Sequence, residues 1–241
     1  MKDDKAIRSR YLVVEGGVIV LSILLAFGID ALWARHLERL EEDEILASLK
    51  SDFVANLDSV TKVIEAHELF RDRVTTLMHL PPEKVRALSQ TQVSQLMLAT
   101  ANPWTYDAVR GTTDTLVNGG KLGVLSDPNL RESLLTFLNR ISDSSEDISY
   151  LIQGAQDVWA AEIKHGGPWS DPATEIGYVG EIRGLGFIPK ATAEDLLSIR
   201  SDPILMGHSK RFHINAAYYI EELNLIRDQI EEILVLIDGS D

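Results

Sequence analysis

The stretch from Tyr11 to Trp33 constrains this chain most, because it is a long apolar run whose only charged residues, Glu15 and Asp30, sit near its ends. As a helix rising ~1.5 Å per residue it is roughly 34 Å long, enough to cross a hydrocarbon core of ~30 Å. The strictly uncharged part, Gly16 to Ile29, reaches only ~21 Å, a length that a buried core helix also has. The flanks favour the membrane. Tyr11 and Trp33 stand where interfacial aromatic belts stand, and Lys2, Lys5, Arg8 and Arg10 form a cationic tail before the run.

A cleavable secretory signal also has a charged start and an apolar middle, but it ends in an Ala-x-Ala-like site. Here Ala31 and Ala34 have Ile29 and Leu32 two residues before them, so the stretch reads as a retained anchor. Basic residues are denser in the tail than beyond the anchor, where Arg35, Arg39 and Lys50 are widely spaced. The positive-inside rule then predicts residues 1–10 as a cytoplasmic tail, 11–33 as the transmembrane helix and 34–241 as an extracytoplasmic domain. The expected location is the bacterial inner membrane, with the large domain in the periplasm.

The tail's four basic residues balance its two acidic ones and the two anchor carboxylates, so the net charge of -14 falls on the outer domain. Such a surface repels nucleic acid and anionic headgroups, which argues against nucleic acid as a partner. The chain has no cysteine, and about 200 residues suffice to bury a core without disulfides.

Beyond the anchor the pattern is helical. Leu46, Leu49, Phe53, Leu57, Val60, Ile64 and Leu69 recur at helical spacing, predicting that the anchor helix runs on to about Leu80, where Pro81 and Pro82 stop it. Short helices are expected over 82–88 and 92–100, and another capped by Thr105 and ended by Gly119 and Gly120. Ser126 or Asp127 caps a long helix with Pro128 at its first position, running towards Gly166 with a break expected in the Ser142 to Asp147 cluster. Thr192 caps a short helix. Asp202-Pro203 starts the last long one, with Ile214, Ala217, Ile220, Leu223, Ile226, Ile230, Ile233 and Leu236 as its stripe. No period-2 run of β-branched residues points to a sheet. The fold class read from this pattern is all-α, an N-terminal transmembrane helix continuing into an up-and-down helical bundle.

Glu15, Ser22, Ala26, Asp30 and Trp33, the segment from Glu42 to Leu57, Thr105-Tyr106-Asp107, the block Gly120 to Leu125 and the run Asp127 to Leu138 together carry a resemblance. They resemble a family of bacterial single-pass membrane proteins of unknown function, which more often has Gly at the place of Ser22 and Asn at that of Asp30. The resemblance implies a helical ectodomain on a membrane stalk. It brings no activity, cofactor or catalytic residue.

Chemical motifs fail in turn. Glu162-x-x-His165 has the spacing of a di-iron carboxylate bundle, but such bundles need it twice, so it reads as a surface pair. His67-Glu68 opens like a zinc-protease helix, yet Arg71 stands where the second histidine belongs. His208 and His213 are five apart, which aims them differently on a helix. Asp143 to Asp147 lacks the glycine and final Glu of a calcium loop. Gly184-Leu185-Gly186-Phe187 matches a carboxylate-binding tetrapeptide without the strands that such domains have. No phosphate loop, nucleophile elbow or metal-ligand set is present, so neither cofactor nor metal is expected and the chain reads as a non-enzyme.

Two features carry functional expectations. At 100° per residue Glu15, Ser22, Ala26 and Trp33 share about 40° of arc with Asp30 beside them, a stripe suited to packing against partner membrane helices or a second copy. The segment Gly166 to Pro189 is long and glycine-rich, with Trp169, Tyr178 and Phe187 as candidate docking residues. These features predict an accessory or scaffolding subunit of an inner-membrane complex (respiratory, photosynthetic or transport), or of a homo-oligomer. The alternatives are a sensory ligand-binding bundle and an ion-pathway component using Glu15.

Overall fold

Between Lys2 and His79 the sequence has no proline and only three glycines, so nothing interrupts helix propagation. The computed structural model describes residues 2–166, 170–177, 186–189 and 191–239, with side chains in 21–97, 99–166 and 191–239. In it this region is one helix, α1 (Lys2–His79), roughly 117 Å long, which ends as Pro81 turns extended with ψ 147°. Then come α2 (Pro82–Arg86), α3 (Gln90–Leu98), α4 (Gly111–Asn118) and α5 (Pro128–Glu162), followed by α6 (Ala193–Ser201) and α7 (Pro203–Asp238). The chain is all-α in class. Among the described residues the one sheet is a small antiparallel hairpin of β1 (Ser170–Gly177) and β2 (Gly186–Pro189).

Local chemistry sets most boundaries. Ser89 with Gln92 and Thr192 with Asp195 form reciprocal capping boxes at α3 and α6. Asp127 and Asp202 cap α5 and α7, each ahead of a proline at the first helical position. Gly166, at φ 95°, ends the short 3-10 extension of α5 in the left-handed conformation that glycine adopts without strain.

Three long helices form the body. Glu41 takes Lys121 at 2.8 Å and Glu42 accepts from the Ser126 amide at 2.5 Å, so α5 starts beside residue 42 of α1. Val74 and Ala161 share a cluster at the other end, and α5 therefore runs parallel to α1. α7 returns antiparallel to both, from Leu205 beside Leu77 to Asp238, whose carboxylate takes Lys50 at 2.6 Å. The order is up, up, down. This corrects the alternation expected from three stripes, because the descent between α1 and α5 is made by the largely non-helical stretch 99–127.

The core has two apolar clusters along the axis. The larger joins Leu49, Phe53 and Val60 of α1 to Leu134 and Phe137 of α5 and to Leu223, Ile226 and Ile230 of α7, with Phe53 and Phe137 edge to face at 4.9 Å. The smaller, at the far end, packs Val74 and Leu77 with Val85, Met97, Leu196 and Leu205.

Four expectations are revised. The Ser142 to Asp147 cluster does not break α5, since Ser144, Ser145 and Ser149 hydroxyls donate to carbonyls three or four residues back within an unbroken helix. Thr105 caps nothing, because α4 starts only at Gly111. Leu69 and Ile214 lie outside the core; His67 and Phe70, Phe212 and Ala216 take the buried positions instead. No sheet is expected from the pattern, yet Asp171 pairs with Ile188 and Pro172 with Phe187 in a hairpin between 170–177 and 186–189.

Among the described residues no helix is long and apolar enough to cross a membrane. The described side chains begin at Leu21, part-way through the apolar stretch, so the span expected at residues 11–33 has no support from them. From Leu21 to Trp33, α1 stands clear of the bundle, and Ile23, Leu24, Leu25, Phe27, Ile29 and Leu32 are 50–67 % exposed.

Candidate functional site

The chain leaves α3 at Ala99 and descends to Arg110 without helix or sheet, passing beside all three long helices; this strap includes the buried Ala101 and Tyr106. A buried backbone without regular structure must satisfy its polar groups by other means. Side chains do so. The His213 Nε2 donates to the Ala99 carbonyl at 2.9 Å, Ser209 Oγ donates to the Thr100 carbonyl at 2.8 Å, and Trp159 Nε1 donates to the Ala101 carbonyl at 3.1 Å. His67 Nε2 donates to the Trp104 carbonyl at 2.8 Å, and the Tyr106 amide donates to the Tyr219 hydroxyl at 2.9 Å. Asn56, fully buried on α1, donates to the Val109 carbonyl and accepts from the Val109 amide and from the Tyr106 hydroxyl.

Strap side chains extend the network. Thr100 Oγ1 donates to Glu162 Oε1 at 2.5 Å, the Trp104 ring stacks on Phe70 and the His67 ring meets Tyr219 edge-on. Because carbonyls only accept, both histidines carry a proton on Nε2. Burial, outweighing the carbonyl bond, pushes the His67 pKa down, and with the nearby His67 and Arg71 charges it lowers that of His213 to about 4. The Tyr219 hydroxyl is pushed up to about 12, first by burial, so it stays protonated.

The sequence pointed elsewhere for sites. Ser22, Ala26, Asp30 and Trp33 are exposed along the projecting part of α1. By helical phase they lie about half a turn from Leu46, Leu49 and Phe53, which face the bundle. Glu15 belongs to α1, but its side chain falls outside the described residues, as do Trp169 and Tyr178 entirely. Phe187 is placed only by its backbone, paired with Pro172.

One sequence signal points to the strap network. Asn56 and His67 occupy core positions of the α1 stripe, at helical spacing from Phe53, Val60, Ile64 and Phe70, and a polar residue in such a place needs a buried partner.

Glu162 and His165 are not a surface pair. Glu162 is buried on Thr100, while His165 bridges Asp202 at 2.8 Å through Nε2 and Ser198 at 3.2 Å through Nδ1. That row has the residue types of a hydrolytic triad, yet its contacts join helix ends: the other Asp202 oxygen accepts from the Ile204 and Leu205 amides. Those amides are thereby unavailable to an oxyanion, and Ser198 is exposed in the middle of α6. Among the described residues no group of three or more His, Cys, Asp or Glu could hold a metal. Comparison with family models, with curated proteins and with solved structures gave no match.

Proposed function

We propose that this chain is a membrane-anchored, non-enzymatic accessory or scaffolding subunit, its helical domain held outside the cytoplasm by α1. The observation that carries the reading is the bare sleeve on α1 from Leu21 to Trp33, apolar over most of its girth with Ser22 and Asp30 on one face, and covered by nothing in the bundle. A helix with so broad an apolar surface is stably placed when lipid or protein covers that surface. The cationic tail before it and Trp33 after it match a bilayer boundary. Glu15, Ser22, Ala26, Asp30 and Trp33 are the proposed face for partner membrane helices or a second copy, and by phase Ser22, Ala26, Asp30 and Trp33 lie opposite the side of α1 that packs in the bundle. The region of Trp169, Tyr178 and Phe187 is the proposed docking element on the outer side.

Alkaline-carbonate extraction of cell membranes and protease treatment of spheroplasts test the anchor. The full chain should stay with the bilayer and lose its domain to added protease. Release by carbonate, or protection of the domain, overturns the reading. Ser22→Leu should disrupt detergent-stable association, whereas Leu25→Ile should leave it intact.

A further inference from the structure

The strap is irregular backbone held by side chains of all three long helices, and its upper half is fastened by histidines from two of them. His67 of α1 holds the Trp104 carbonyl and His213 of α7 holds the Ala99 carbonyl, each through Nε2. We propose that the strap from Ala99 to Val109 is a proton-released latch, closed while His67 and His213 are neutral and loosened when the surroundings acidify.

Protonation does not break the carbonyl bonds, since Nε2 donates in either state. It places charge where the surroundings oppose it. On α1, His67 and Arg71 act on His213 as like charges, and Arg71 itself has the Glu68 carboxylate at 3.9 Å. From α7 the neighbours are the Phe212 ring against His213 and the uncharged Tyr219 against His67. α5 contributes Glu162, which is engaged with the Thr100 hydroxyl, and Asp147, which is felt at Tyr219. The strap itself brings Asp107, also felt at Tyr219, and Tyr106. The charges acting on His213 are thus cationic, and opening the strap lets both rings take protons in water.

The direction follows from linkage. With a closed-state pKa of about 4 for His213 and ~6.5 for an exposed histidine, the open state binds more protons between these values. Between pH 7.5 and pH 5.0 the strap-opening equilibrium then shifts by roughly 30-fold from His213 alone, above the range where ordinary carboxylates titrate.

Hydrogen exchange of the full chain in detergent, corrected for intrinsic rates, reads this directly. Amides of residues 99–109 should lose at least tenfold protection at pH 5.0, while those of Leu223 to Ile230 in α7 keep theirs. In the double variant His67→Gln and His213→Gln, where glutamine amides donate without titrating, the strap should be equally protected at both pH values. Unchanged strap protection in the wild type, an equal loss in the double variant, or simultaneous loss in α7 overturns the latch. An NMR titration of His213 in the unmodified chain gives a second reading that does not depend on the variant folding: a midpoint near 6.5 overturns it, and one well below supports it.

Discussion

Asn56 shows what a single buried amide does here. It satisfies both backbone polar groups of Val109 and the Tyr106 hydroxyl, so Asn56→Ala leaves three buried or half-buried groups without their partner. Each orphaned group costs about 1–3 kcal/mol with partial recovery by water, so a loss of about 2–4 kcal/mol is expected in urea unfolding. Val54→Ala, two residues earlier on the exposed side of α1, should change stability by less than ~0.5 kcal/mol. Tyr219→Phe removes the oxygen that receives the Tyr106 amide and should cost about 1–2 kcal/mol, with the two deletions coupled because they anchor the same strap residue. A double-mutant cycle by denaturant unfolding measures that coupling; strict additivity would mean that the strap is not held as one unit.

At the scale of elements, the α5–α7 contact tightens at Gly154, where a Cβ would sit 3.5 Å from Phe212 Cα and 3.6 Å from its ring. That is ordinary contact, so Gly154→Ala fits and should stabilise by about 0.5–1 kcal/mol through helix propensity, read as a higher denaturation midpoint. Gly154→Leu has no such room and should part the two helices, lowering the midpoint. What the sequence made legible at this scale is what local chemistry controls. The stop of α1 follows from Pro81 and Pro82, and the starts of α5 and α7 follow from Asp-Pro pairs. The strap was not legible, because Thr105 reads as an ordinary helix cap. Nothing local reveals that Asn56, Ser209 and His213 from distant segments converge on it. The relative direction of α5 was hidden for the same reason, being fixed by Glu41 and Glu42 reaching Lys121 and Ser126 far along the chain.

At the scale of the whole molecule, α1 joins a projecting stretch and a packed stretch in one continuous helix. Its first buried residue among those described is Leu46, and every described apolar side chain from Leu21 to Leu40 is outside the core. Burial of apolar surface is what stabilises a domain, so residues 1–33 should contribute almost nothing to the stability of the bundle. Their removal should therefore leave the denaturation midpoint of the helical domain within error of the full chain and, on the proposed anchor reading, make the domain independent of detergent. Circular dichroism melts and sedimentation in detergent-free buffer check both halves. A truncated chain that melts several degrees lower would mean that the sleeve packs on the bundle. One that still aggregates would mean that the apolar surface needing cover lies elsewhere, on exposed positions such as Tyr150, Ile214 and Tyr218. If both halves hold, the apolar sleeve exists for something other than folding, which is the physical content of calling it an anchor.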